Sequence, residues 1–106
     1  MCFLIFIYIL NFLGPISATV CWCLVYSLGH EKDIVDNPSC QPKFCTEPDH
    51  AVLVVGYGVN DKGQEYWILK NSWGKKWGDH GYIKLARNKN LAVLTHEATY
   101  PVIKAY

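Results

Sequence analysis

From position 50 onward, apolar and polar residues fall into strand-length blocks separated by turn chemistry. Ala51-Val52-Leu53-Val54-Val55 is a continuous apolar run, and a short run rich in β-branched residues predicts a strand buried on both faces. Asn60-Asp61-Lys62-Gly63 supplies a turn, because Asn and Asp side chains accept hydrogen bonds from nearby backbone. Glu65-Tyr66-Trp67-Ile68-Leu69-Lys70 follows, so the pair reads as a hairpin. Glycines at 74, 78 and 81 then break an aromatic stretch into an irregular loop. After it, Tyr82-Ile83-Lys84-Leu85-Ala86-Arg87 alternates apolar with polar, as a half-buried third antiparallel strand does.

The first half is patterned differently. Residues 1–29 contain no Asp, Glu, Lys or Arg, and residues 30–49 are polar and punctuated by Pro38, Pro42 and Pro48. Cys2-Phe3-Leu4-Ile5-Phe6-Ile7-Tyr8-Ile9-Leu10 is unbroken apolar sequence and leaves three readings open. A signal peptide fits the apolar run followed by Ser17, Ala18 and Thr19, but the positively charged start is missing. A membrane span needs about 20 apolar residues, and Asn11 with Gly14-Pro15 interrupts the run sooner. A buried strand fits the β-branched and aromatic content. Residues 1–13 are therefore set apart as a hydrophobic N-terminal segment, signal-like or membrane-associated, from a domain spanning residues 14–106.

At 106 residues there is room for one domain and a modest core, and a two-domain enzyme does not fit. A net charge of +1, with Lys and Arg interspersed among acids, predicts no nucleic-acid partner. The five cysteines, Cys2, Cys21, Cys23, Cys40 and Cys45, show no zinc-ligand spacing to a histidine pair. No metal and no cofactor is expected, and an odd count leaves at least one thiol free or paired outside the chain.

Three side chains carry the candidate chemistry. His50 opens the first apolar strand and Asn71 closes the second. A cysteine nucleophile reacts as thiolate and needs an imidazole beside it. That imidazole needs its other nitrogen held by an acceptor, and a neutral amide does so without adding charge. Trp73, two residues after Asn71, falls on the same face of an extended chain and is expected to shield the pair. Each taken singly also fits a bland role, His50 as a core or surface residue, Asn71 as a turn former, and Trp73 and Trp77 as packing.

Taken together, Asp49-His50 through Gly58, Tyr66-Trp67-Ile68-Leu69-Lys70-Asn71-Ser72-Trp73-Gly74, Trp77-Gly78, Gly81-Tyr82 and Ala98-Thr99-Tyr100-Pro101 resemble the C-terminal part of papain-like cysteine peptidases of the cathepsin L branch. The likeness covers residues 37–103, and more weakly 14–19, with residues 19–35 divergent. It implies an α+β family, here mainly β: the antiparallel barrel-like half of a two-lobe fold, with the helical lobe missing. It also implies that His50 is the catalytic histidine, Asn71 its orienting partner, and Asp49, Trp73 and Glu97 substrate-binding residues. Glu97 would lie at the floor of a specificity pocket, where an acid favours a basic substrate side chain. Peptide or protein substrates and a lysosomal or extracellular setting follow from the same likeness.

Departures matter as much as matches. The family's nucleophile stands in a Cys-Gly-Ser-Cys-Trp type motif, with the histidine and asparagine roughly 130 to 150 residues downstream. Only 49 residues precede His50, and the Cys21-Trp22 dipeptide lacks the flanking glycine, so it is rejected as nucleophile. Ala92 stands where the resemblance implies the disulfide partner of Cys40 or Cys45. The expectation is a truncated, catalytically inactive homologue with exposed apolar surface. The rivals are a binding module that associates with a full-length peptidase or its prodomain, and a small membrane-associated protein.

Overall fold

The computed structural model describes residues 3–21, 33–36, 47, 49–87 and 98–100. Within them lie one helix, α1 (Phe3–Phe12), and six strands: β1 (Ile16–Val20), β2 (Ile34–Val35), β3 (His50–Val59), β4 (Glu65–Lys70), β5 (Tyr82–Ala86) and β6 (Ala98–Thr99). The strands form one sheet in the order β2-β5-β4-β3-β1-β6. The β2–β5 pair is parallel and all other pairs are antiparallel.

The hairpin is built as its sequence predicts. Asn60 Oδ1 accepts the backbone N–H groups of Lys62 and Gln64 at 3.0 and 2.9 Å, so the turn is closed by its own side chain. Facing residues then pair from Val59↔Glu65 back to Leu53↔Lys70, with one break in register between Val54 and Gly56. This bulge lets Val54 and Tyr57, which strict alternation would put on opposite faces, both oppose core residues of β4, Leu69 and Trp67. An extra residue in one strand shifts the alternation by one position in this way.

The run 51–55, expected to be buried on both faces, is buried on one. Val52 and Val54 are in the core, Leu53 and Val55 are half-buried, and Ala51 is exposed. The helix packs on the core face alone. On β5 the expected alternation is present, with Ile83 and Leu85 buried.

Residues 3–12 form a helix, which corrects the buried-strand reading of this segment. Phe6 and Ile9 are buried, with Ile7 and Leu10 packed partly against the same core, a three-to-four-residue spacing that belongs to a helix face. A helix pairs its own backbone groups and needs no neighbouring strand, so burial on the sheet overrides the β-propensity of isoleucine. The Leu13 and Gly14 N–H groups both donate to the Ile9 carbonyl oxygen, at 2.7 and 2.9 Å. Phe6 meets Trp67 with ring centroids 5.5 Å apart, and Tyr57 O–H donates to Asn11 Oδ1 at 2.9 Å. No helix among the described residues is long and apolar enough to cross a membrane.

Among the described residues the sheet is not closed into a barrel, which corrects the barrel-like part of the expectation while the mainly β composition holds. Its ends are the two-residue strands β2 and β6, which lie at opposite limits of the strand order. Strand β2 falls in the stretch with no recognised counterpart in sequence, yet Val35 is in the core. Leu4, Tyr8 and Phe12 form an exposed stripe on α1, spaced four apart as one helix face requires.

Candidate active site

Two strands end at the same place on the core face. His50 starts β3 opposite Val20 of β1, and it shares its face with Val52 and Val54. Asp49 N–H donates to the Val20 carbonyl oxygen at 3.0 Å, holding the chain as it enters the strand. Asn71 follows β4 on the face of Trp67 and Leu69, one residue beyond the Leu53↔Lys70 pair. The two side chains meet, with His50 Nε2 2.9 Å from Asn71 Oδ1.

A second contact determines which way this pair is protonated. Asn71 is 7% exposed, and its Oδ1 also accepts the Ser72 backbone N–H at 2.8 Å. Turning the amide over would set its NH2 group against the Ser72 N–H, so the oxygen is held in place. His50 Nε2 must then donate the proton, and in the neutral ring Nδ1 is the nitrogen that carries the lone pair. An imidazole fixed like this can take a proton at Nδ1 while the amide steadies the ring and tolerates its charge.

Trp73 lies against His50, with centroids 5.3 Å apart and planes inclined by 38°. Trp77 stands edge-on to Trp73 at 5.3 Å. The loop that presents them is closed by its backbone: Gly81 N–H donates to the Trp77 carbonyl at 2.7 Å, and Asn71 N–H to the Gly81 carbonyl at 3.0 Å. His80 occupies this loop with φ of 55°, an angle that costs a residue with a Cβ roughly 1–2 kcal/mol. Its contact with Asp79 is exposed and worth at most about 1 kcal/mol. His80→Gly is therefore expected to raise the unfolding free energy from urea titration by a few tenths to about 1 kcal/mol, and an unchanged or lowered value would show that the loop stores no strain there.

The remaining candidates stand apart. Asp49 is exposed. Glu97 lies outside the described residues, as do Trp22, Cys23, Cys40, Cys45 and Ala92. Cys21 is disulfide-bonded, so it has no thiol to ionise. Among the described residues no group of three or more His, Cys, Asp or Glu side chains is placed to hold a metal. The Ser72 backbone N–H and the edge of Trp77 are the parts of the site that the residue pattern did not reveal. The first is a main-chain group, and the second carries an ordinary packing signal.

A family model described as "Papain family cysteine protease" matches residues 8–102. Digestive cysteine proteinase 2 of Homarus americanus is 41% identical over 92 residues, which is 86% of this chain and 27% of that protein. Among solved structures, digestive procathepsin L 3 of Tenebrio molitor larval midgut superposes with a TM-score of 0.78 at 33% identity, covering 90% of this chain and 30% of that one. The bromelain protease of Ananas comosus, in complex with the E64 inhibitor, does so with a TM-score of 0.77 at 29% identity, covering 93% and 45%. The chain thus spans about a quarter of the length of the curated relatives it matches.

Proposed function

The chain belongs to the papain family of cysteine proteases, and from that premise we propose that His50 is the proton carrier of a peptide-hydrolysing site and Asn71 the group that orients it. The observation that carries this reading is the Asn71 oxygen, shared between His50 Nε2 at 2.9 Å and the Ser72 N–H at 2.8 Å. In the reaction, Nδ1 takes the proton of a cysteine thiol, and the thiolate attacks the peptide carbonyl. The imidazolium returns the proton to the departing amine, leaving a thioester that water then opens. Trp73 covers one side of the ring and limits water there.

The nucleophile is not in the 106 residues. They contain no Cys-Gly-Ser-Cys-Trp motif, and a disulfide at Cys21 removes the cysteine that follows Val20, the strand partner of His50. We therefore read the chain as a truncated, catalytically inactive homologue that carries base and orienter without the nucleophile. Asp49, Trp73 and Glu97 are its substrate-side residues, and peptides or proteins its substrates. A disulfide fits an oxidising compartment, which agrees with a lysosomal or extracellular setting and with the digestive proteinases among the relatives.

Two measurements test the reading. The purified chain is expected to release no fluorophore from dipeptide substrates, and turnover abolished by Cys21→Ala would overturn the assignment of inactivity. Nitrogen NMR of the His50 ring near neutral pH is expected to show the proton on Nε2, and Asn71→Ala is expected to erase that preference. A proton found on Nδ1 instead would rule out His50 as the acceptor described.

A further inference from the structure

Exposed residues of opposite charge flank the His50–Trp73 pair along the chain, acids before His50 and lysines after Trp73. Just before His50 lie Glu47 and Asp49, both exposed. The Asp49 backbone is held beside His50 because Val20 faces His50 in the sheet and accepts the Asp49 N–H at 3.0 Å. On the other side of the imidazole comes the Trp73 ring at 5.3 Å, then Trp77 a further 5.3 Å away. The turn joining these two indoles carries Lys75 and Lys76, both exposed, and it is closed by the Trp77 N–H on the Gly74 carbonyl at 3.4 Å. The acids thus belong to the segment that leads into His50, and the lysines to the turn that joins the two indoles.

Among the described residues, no ion pair cancels this separation. The loop's own acid, Asp79, is held by His80 Nδ1 at 2.8 Å. Among the described residues, the ion pairs are those of Asp79 with His80 and of Glu65 with Arg87, so Lys75, Lys76, Glu47 and Asp49 take part in none. Exposed charges with no internal partner act mainly on what approaches them, guiding orientation more than supplying affinity.

We propose that this site is electrically polarised along the line of a bound peptide, so that it selects a basic residue at the Glu47–Asp49 end and an acidic residue at the Lys75–Lys76 end. The inference rests on the reading of His50 and Asn71 as part of a peptide-handling site and adds to it the class of substrate. An extended peptide advances about 3.3 Å per residue, so three or four residues bridge the two ring separations. The charged positions that matter then lie some four or five residues apart.

The test compares two labelled peptides of identical composition, with blocked ends and an uncharged middle, one carrying Lys first and Asp last, the other the reverse. Since their net charge is the same, general electrostatic attraction cannot tell them apart. Fluorescence anisotropy with the purified chain is expected to favour one order about three- to tenfold at about 0.01 M salt, the effect of a few exposed charge pairs. The preference should vanish at about 1 M salt, where the screening length falls to about 3 Å. Lys75→Glu combined with Lys76→Glu should reduce or invert it. The milder Lys75→Gln with Lys76→Gln serves the same purpose if charge reversal disturbs folding, which circular dichroism reports. Equal affinity for both orders, or a preference untouched by either double substitution, overturns the polarity and leaves the base-and-amide reading standing. Failure of either peptide to bind also overturns it, and the His50 ring protonation, measured independently, tells whether the reading beneath falls too.

Discussion

Trp67→Ala is expected to lower folding stability by about 3 to 5 kcal/mol, the range for truncating a large aromatic side chain in a core. Trp67 is 3% exposed and joins three separate parts of the chain. Phe6 of α1 packs on it at 5.5 Å, Tyr57 of β3 meets it nearly edge-on at 6.4 Å, and the Arg87 guanidinium lies over it at 5.3 Å. Removing the indole opens a cavity beneath the helix and takes away the surface on which a largely buried arginine rests. Domains of ordinary size hold only about 5 to 15 kcal/mol in reserve, so the loss is a large share of what keeps this fold together. Urea unfolding measures the change, and hydrogen exchange in residues 3–12 should accelerate because α1 loses its main aromatic contact. Trp67→Phe keeps a ring between Phe6 and Tyr57 and should cost clearly less. A loss below about 1 kcal/mol for the alanine variant would contradict the position of Trp67 as the centre of the core.

Gly78→Ala is expected to cost about 1.5 to 3.5 kcal/mol, combining a strained backbone with the disruption of a partly exposed hydrogen bond. Gly78 has φ of 59°, and a Cβ placed there would stand 2.5 Å from the Tyr82 carbonyl oxygen. That oxygen cannot simply move aside, since it accepts the Asp79 N–H at 2.8 Å. Gly74 makes the fitting comparison. Its φ is 89° but no atom lies within 4 Å of its would-be Cβ, so Gly74→Ala should show the conformational cost alone, about 1–2 kcal/mol. The difference between the two variants isolates the clash. Gly78→Ala should further disturb the site, because Asn71 and Trp77 are both tied by backbone hydrogen bonds to Gly81 in the same loop. Chemical shifts of the His50 and Trp73 rings would report it. Equal losses for the two alanine variants would show that the close approach to Tyr82 relaxes without penalty.

Much of the candidate site was legible from residue order, for local reasons. Asn60 closes the hairpin with its own side chain, and that chemistry is confined to five consecutive residues. Once β3 and β4 are paired by such a turn, His50 and Asn71 are carried to the same end of the sheet. The family resemblance, which the comparisons bear out, rests on the same segments. Less legible was the phase of β3. Val52 and Val54 alternate in step, but Tyr57 falls out of step, and only the register break after Val54 returns it to the face of Trp67.

Residue order by itself determined what short-range chemistry can determine: the hairpin and its turn, the alternating strand β5, the imidazole and amide as a pair, and the family. Tertiary structure decided the rest. Residues 3–12 could satisfy a strand or a helix pattern equally well, and contact with Trp67, 61 positions from Phe6 in the sequence, selected the helix. Strand β2 has only two residues and joins the sheet through parallel pairing with β5, which no local signal encodes. The strand order of the sheet likewise depends on where distant segments come to lie. The proton position on His50 follows from a main-chain N–H of Ser72 that folding alone brings to the Asn71 oxygen. Side-chain type states what a residue can do, and long-range contact states which of those options the energy of the whole fold selects.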